Sequence, residues 1–329
     1  MRLLVTGGAG FIGSHFVRET VKDRYPALAG AEVVVLDKLT YAGNLANLAP
    51  VAGSARLTVV EGDILDARLA TELMDAADAV VHFAAESHVD RSILGAADFV
   101  MTNVVGTQTL LDAALRVGVG RFLHVSTDEV YGSIDEGSWD EMQPLSPNSP
   151  YSASKASSDL LALAYSRTHG LDVAVTRCSN NYGPYQFPEK VIPLFVTNLL
   201  DGMKIPLYGD GRNVRDWLHV DDHCAGIAVA LTQGRAGEVY NIGGGTELSN
   251  LELTQIVLEA CGADWTAVER VPDRKGHDLR YSVDTTKISD ELGYRPRVPF
   301  DTGISETVTW YREHREWWEP LKERAALWR

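Results

Sequence analysis

Leu3-Leu4-Val5-Thr6-Gly7-Gly8-Ala9-Gly10-Phe11-Ile12-Gly13-Ser14-His15-Phe16 opens the chain with a short apolar run, a turn rich in glycine and a helix-like continuation. Strand, glycine turn and helix start, in that order, are the context in which such a motif is informative. The glycines read as GxGxxG from Gly8 or as GxxGxxG from Gly7. In either register they allow a tight turn, a close backbone approach to a pyrophosphate and close packing of the helix on its sheet, while the helix N-terminus offers amides to the anion. Asp37 ends the next apolar run, 24 positions beyond Gly13, about where an acid bonds the ribose hydroxyls of a dinucleotide. A carboxylate there repels a 2′-phosphate, so NAD is expected over NADP. Asp63-Ile64, after the third run, are candidates to flank the adenine.

Outward from this motif, β-branched runs alternate with helix-like stretches: Val33–Leu36, Leu57–Val60, Ala79–Phe83, Phe122–Val125 and Val173–Val175. The alternation predicts an α/β fold, a doubly wound Rossmann-type parallel sheet with helices on both faces. Runs apolar at nearly every position fit strands covered on both sides. Helices are expected over roughly 13–24, 103–117, 151–168 and 221–232, the last capped by Asp221 or Asp222. Beyond about residue 184, Pro184, Pro188, Pro193, Pro206, Gly209 and Gly211 break the rhythm, and a smaller α/β lobe is expected there. Trp217–Val220 and Val239–Ile242 read as a return to the sheet. The expected division is therefore 1–183 with 216–243 for the dinucleotide, and 184–215 with 244–329 for a discontinuous substrate lobe.

The 329 residues suffice for a substantial core without staples or metals. Thirty Lys plus Arg against 45 Asp plus Glu leave a net charge of −15, which disfavours nucleic acid and anionic membranes as partners. Three cysteines without a CxxC pair give neither a disulfide framework nor a zinc ribbon. No apolar run approaches the roughly 18 residues of a membrane span, and Met1 leads straight into the first strand without signal-peptide regions. We expect a soluble, cytoplasmic protein.

Tyr151-Ser152-Ala153-Ser154-Lys155 sets a phenol and an ammonium one helical turn apart. A nearby cation lowers a phenol from its ordinary pKa near 10, so the pair suits general-base work at neutral pH. Ser126-Thr127-Asp128-Glu129 stands at the end of the fifth run, where open parallel sheets place their ligands.

Together the glycine turn, the Tyr151–Lys155 pair and the length resemble the extended branch of the short-chain dehydrogenase/reductases. Epimerases and decarboxylases of that branch lack the paired acids Asp128 and Glu129. With Ala84–Ser92 and Arg177–Tyr185, the resemblance narrows to the dTDP-glucose 4,6-dehydratase family and runs from Met1 to about residue 320. It implies a lyase with NAD as cofactor, dTDP-glucose as substrate and a homodimer, with helices 103–117 and 151–168 at the interface. The chemistry implied is oxidation at carbon 4 of the hexose, loss of water across carbons 5 and 6, and hydride return to carbon 6. Tyr151, helped by Lys155 and a hydrogen bond from Thr127, takes the hydroxyl proton; Glu129 is the base at carbon 5 and Asp128 the acid at the departing hydroxyl. The acids need opposite protonation states, and both reach one sugar only if the chain leaves its strand near Thr127. A nucleotide-sugar 4-epimerase, or a non-catalytic NAD-binding sensor, is the alternative.

The same resemblance assigns cofactor contacts to Gly7, Gly10, Phe11, Ile12 and Gly13 in the turn. After the second and third strands it assigns Asp37, Lys38, Thr40, Asp63 and Ile64, and after the fourth Phe83, Ala84, Ala85 and Ser87. Thr102, Tyr151, Lys155, Cys178 and Asn181 complete the cofactor set. Substrate contacts fall on Ser87, Thr127, Asn180, Lys190 and Val191, and a base pocket on Pro206-Leu207-Tyr208. Arg215, Asn250, Arg274 and His277 complete the nucleotide grip. His219-Val220-Asp221-Asp222-His223 loosely resembles a metal-ligand cluster, but a strand-to-helix boundary inside it separates the rings, and no metal is expected. Trp310, Trp317 and Trp318 are expected to pack a C-terminal helix on the second lobe.

Overall fold

A computed structural model describes residues 1–326. The strands are β1 (Arg2–Thr6), β2 (Glu32–Asp37), β3 (Leu57–Glu61), β4 (Ala79–His82), β5 (Arg121–Thr127), β6 (Val173–Cys178), β7 (Asn180–Tyr182), β8 (Ile205–Tyr208), β9 (Val214–His219), β10 (Val239–Ile242), β11 (Glu247–Ser249) and β12 (Val268–Val271). Seven of them form a sheet in the order β10-β6-β5-β4-β1-β2-β3, every pairing parallel. Successive side chains of a strand face opposite ways. Leu3 and Val5 therefore join Phe16, Val17, Cys224 and Ile227 in the core of one face, while Leu4 joins Leu110, Leu111, Ala162 and Leu163 on the other. Helices Phe11–Val21 and Val220–Gln233 cover the first face, and Thr107–Val117 and Pro150–His169 the second. This is the doubly wound Rossmann-type arrangement that the alternation predicts.

The order of strands reverses beside β1: β2 and β3 extend to one side and β4, β5 and β6 to the other. Loops leaving the carboxyl ends of β1 and β4 diverge there, and ligands of open α/β sheets bind in that crevice. A separate core of Tyr182, Ile192, Phe195, Trp217, Leu253, Ile304, Tyr311 and Trp318 lies in the second half of the chain, with a three-stranded sheet β11-β9-β7 and the pair β12-β8.

Several expectations are corrected. Only β10 rejoins the seven-stranded sheet; Trp217–His219 lies in β9, which pairs with β7 and β11, because its Trp217 is drawn into the second core. His219, rather than Asp221 or Asp222, caps the following helix by accepting from the Asp221 amide. Asp221 instead meets His15 at 2.8 Å, and Asp222 accepts from the amides of Arg297 and Val298. The helix expected over 103–117 is a π-helix through Val100–Gly106 and α-helical only from Thr107; that expected over 13–24 runs Phe11–Val21. The C-terminal segment is two helices, Phe300–Glu313 and Arg315–Ala326. Trp318 is buried in the second core, whereas Trp317 also donates to Asn47 in the first half of the chain.

Candidate active site

One cavity of about 330 Å³ runs from the glycine turn after β1 to the end of β5 and the start of helix Pro150–His169. At its first end Gly7 takes φ +71°, and a Cβ there would stand 2.6 Å from the Ala84 nitrogen. A Cβ on Gly13 would collide with the Gly7 carbonyl. Gly10 is the N-cap of helix Phe11–Val21 and brings no side chain to its first-turn amides, which leaves donors for an anion. Asp37 accepts from the Ala9 amide at 2.9 Å and the Leu39 amide at 2.8 Å, so both carboxylate oxygens are fixed at the cavity wall. Lys38 pairs with Asp63 at 2.7 Å. All the expected cofactor residues line this one cavity, Thr102 from the π-helical segment and Cys178 and Asn181 from the far wall included. The residues present therefore fit a dinucleotide.

At the other end β5 stops at Thr127, and Asp128–Tyr131 turn as a 3-10 helix. The Thr127 hydroxyl accepts from the Glu129 amide and donates to Asp128 Oδ1, each at 3.3 Å. This turn breaks the alternation of an extended strand and lets both acids line the cavity. Asp128 is buried, and its Oδ2 has no hydrogen-bonding partner among the described residues. Burial, then the charge of Glu129, pushes its carboxyl well above the ordinary range. Burial raises Glu129 as well, but Lys190, Arg215 and Arg274 pull it back. The environments thus separate the pair in the sense acid–base work requires: Asp128 holds its proton and Glu129 is the readier to lose one.

Ser149 caps helix Pro150–His169 through a capping box with Ser152, which fixes the first turn and with it Tyr151. The expectation that Lys155 lowers the Tyr151 phenol is corrected. Burial raises it well above its ordinary value, and Lys155 Nζ donates to the Val125 carbonyl at 2.8 Å. Burial also pulls the Lys155 ammonium down to about 8. The Thr127 hydroxyl, expected to serve Tyr151, donates to Asp128 instead.

A model of the GDP-mannose 4,6-dehydratase family matches residues 4–307. The chain belongs to this family. It is 66% identical over 330 residues to a dTDP-glucose 4,6-dehydratase of Streptomyces antibioticus, covering 99% of this chain and 97% of that protein. To a dTDP-glucose 4,6-dehydratase of Streptomyces niveus it is 63% identical over 322 residues, covering 98% and 96%. Among solved structures, DesIV, a dTDP-glucose 4,6-dehydratase from Streptomyces venezuelae with NAD and the ligand TYD bound, superposes with a TM-score of 0.97. The identity is 68%, over 98% of this chain and all of that one.

In this member of the 4,6-dehydratase family, the expected substrate residues divide. Ser87, Thr127, Asn180 and Lys190 line the cavity, and Lys190 Nζ reaches the Ser87 carbonyl at 2.8 Å, joining opposite walls. Val191, Pro206, Leu207, Tyr208, Arg215, Asn250, Arg274 and His277 stand outside that lining. Leu207 is buried, in the strand β8 that pairs with β12. Tyr208 and His277 face each other with ring centres 6.5 Å apart. Arg274 holds Asp90 at 2.5 Å and lies over the Tyr208 ring. Arg215 bonds the carbonyls of Val214 and Asp278; Asn250 opens helix Asn250–Cys261 and Val191 opens Val191–Leu200. The charges of Arg215 and Arg274 are nonetheless felt at Glu129.

Sequence reasoning missed Tyr41, Glu86, Gln186, Phe187 and Glu189, which line the same cavity. Glu189 adjoins Lys190, so the segment Phe187-Pro188-Glu189-Lys190 carried a usable signal. Tyr41 and Phe187, which meet edge to face with centres 5.7 Å apart, carried none. The His219–His223 pair separates: His219 caps its helix, and His223 pairs with the Asn181 side chain at 2.8 Å.

Proposed function

We infer that the protein is a dTDP-glucose 4,6-dehydratase that uses NAD, and that the residues named above carry the reaction. The observation that carries this reading is the pair of unlike carboxyls, Asp128 and Glu129, set against Tyr151 and Lys155 in a cavity that begins at a dinucleotide-type glycine turn. An oxidation with simple inversion at carbon 4 needs no such pair; an elimination needs both.

NAD, when bound, accepts hydride from carbon 4 and delivers it to carbon 6. The rest is done by the chain. Tyr151 takes the proton of the carbon 4 hydroxyl; burial raises its phenol, so the tyrosinate is a strong base, and Lys155, one helical turn on, is held by the Val125 carbonyl. The ketone acidifies carbon 5. Glu129 removes that proton, and Asp128, kept protonated by burial, gives its own to the departing hydroxyl. Lys190 and Asn180 hold the sugar end, while Tyr208, Arg215, Asn250, Arg274 and His277 grip the nucleotide from the lobe around the second core.

The exposed apolar side chains Leu94, Met101, Leu115 and Leu160 lie on or beside the helices expected at a subunit contact. They support a homodimer; a monodisperse monomer in light scattering would remove that part of the reading. Cys178, Cys224 and Cys261 are all free, which fits a reducing, cytoplasmic setting, and no helix of the described residues is long and apolar enough to cross a membrane.

The deciding experiment is incubation with dTDP-glucose, without added NAD, in deuterium-enriched water. Loss of one water with one deuterium at carbon 5, by mass spectrometry and NMR, is the expected result. Epimerised sugar would give the reaction to the 4-epimerase alternative, and unchanged sugar from a cofactor-loaded protein would show that the donor is wrong.

A further inference from the structure

The helix Arg315–Ala326 is rooted in the second core by Trp318, which is fully buried and donates from its indole to the Tyr311 carbonyl at 2.7 Å. Arg315 and Lys322 also hold Asp201, and a further set of contacts reaches the dinucleotide end of the cavity. Trp317 donates its indole N–H to Asn47 Oδ1 at 3.0 Å. The Asn47 amide nitrogen donates in turn to the carbonyl of Ala9, inside the glycine turn, at 2.9 Å, and the Asn47 carbonyl accepts from Arg18 at 2.7 Å. Leu321 is buried against Tyr41 and Phe187, two walls of the cavity. Arg324 donates to the carbonyl of Thr40, on the same wall, at 3.3 Å.

A second observation points the same way. Tyr185 has φ +69°, a conformation disfavoured for a residue with a bulky side chain and kept only where the surroundings over-determine it. Those surroundings are Trp310 and Trp317, with ring centres 4.5 and 5.5 Å away, and the Arg18 guanidinium 4.2 Å over the ring. Tyr185 immediately precedes Gln186 and Phe187, which line the cavity. One helix thereby ties down three segments of the dinucleotide site that are far apart in sequence.

We propose that Trp317 and Asn47 are positioning residues for the dinucleotide, and that helix Arg315–Ala326 is a clasp holding the glycine turn, the 40–42 loop and the 185–187 segment closed on it. The proposal rests on the NAD reading above. It has a chemical rationale: hydride taken from carbon 4 must go back to carbon 6 of the same sugar, so release of the reduced cofactor in mid-cycle would strand the intermediate.

The test is the release rate of bound NAD from the purified holoprotein, chased with excess fluorescent etheno-NAD. Trp317→Phe keeps an aromatic ring but removes the N–H donor and part of the ring packed on Tyr185 and Trp310; release is expected to quicken about fivefold or more, at least the scale of one lost neutral hydrogen bond. Leu321→Ala should quicken it further, and in both variants kcat at saturating NAD should stay near the parent value. Thermal unfolding of the NAD-stripped proteins is read in parallel. Release rates within about twofold of the parent in both variants, even with lowered melting temperatures, would overturn the clasp and leave mere packing. If Trp317→Phe does not fold, Arg324→Ala, whose side chain is exposed, replaces it, with about fivefold faster release expected from its lost hydrogen bond and a rate within about twofold of the parent counting against the clasp. Parent protein that neither carries nor binds NAD would sink the function and the clasp together; parent protein that holds NAD, with variants that release it no faster, would sink the clasp alone.

Discussion

At the glycine turn the cavity recognises with backbone: amides at the start of helix Phe11–Val21, space cleared by Gly7 and Gly13, and one carboxylate, Asp37, pinned by two main-chain donors. At the far end it works with side chains brought together from β5, helix Pro150–His169 and the segment before Val191. The first end tolerates almost no change of shape. The second is defined by protonation, since burial raises both Asp128 and Glu129, neighbours in sequence, but Asp128 much further because the cations Lys190, Arg215 and Arg274 pull Glu129 back. Binding and chemistry are thus separable along one cavity, and substitutions should separate them.

The sharpest separation is expected from Asp128→Asn combined with Glu129→Gln. Positioned acids and bases contribute about 10²–10⁴-fold each, so dehydration should fall by about 10⁴-fold or more while oxidation at carbon 4 survives. Rapid-quench mass spectrometry of the sugar together with NADH absorbance reads both steps; undiminished water loss would break the assignment. The opposite end is probed by Gly13→Ala. The added methyl meets the Gly7 carbonyl, and overpacking of this kind costs about 2–3 kcal/mol, roughly a hundredfold in dinucleotide affinity. Calorimetric titration of the stripped protein checks it, and affinity within about threefold of the parent would deny the turn its role.

A subtler probe sits where the two ends meet. Lys190 lowers the pKa of Glu129, so Lys190→Met should raise it. A base acts only when deprotonated, so the rate on the acid side should then be lost at higher pH, the acid limb of the kcat profile moving up by about one unit. The alkaline limb belongs to the groups that act protonated, Asp128 and the Lys155 ammonium at about 8, and Lys190 shifts neither; it should stay in place. A stationary acid limb would take the role of base away from Glu129.

The contrast also explains what the sequence disclosed. A backbone motif must be contiguous to work, so Gly7–Gly13, Asp37 and the strand rhythm were legible; the turn at Thr127 that brings both acids to one cavity was a condition of the chemistry, and the structure supplies it. Residues recruited through packing were not. Tyr41 and Phe187 lie far apart in sequence and meet through a contact that no local pattern encodes. Trp217 reads as a strand residue, and does lie in one, but the second core decides which sheet receives it. Tyr151 and Lys155 were visible as a spacing, while the direction of the Tyr151 shift depends on burial, a property of the whole fold.

The smallest effect expected concerns cofactor choice, and it tests whether the backbone end holds any side-chain specificity. Asp37 spends one lone pair of each oxygen on Ala9 and Leu39 and has others left to accept from ribose hydroxyls. Asp37→Asn keeps one of the two amide contacts and removes the charge that would oppose a 2′-phosphate. The ratio of NADP to NAD affinity should rise about fivefold, in line with the ~1 kcal/mol of a partly screened like-charge contact. Binding of both dinucleotides to the stripped variant reads this ratio directly. If NAD binding collapses and NADP gains nothing, Asp37 serves chiefly to brace the turn, and discrimination against the 2′-phosphate comes from the shape of the backbone around it.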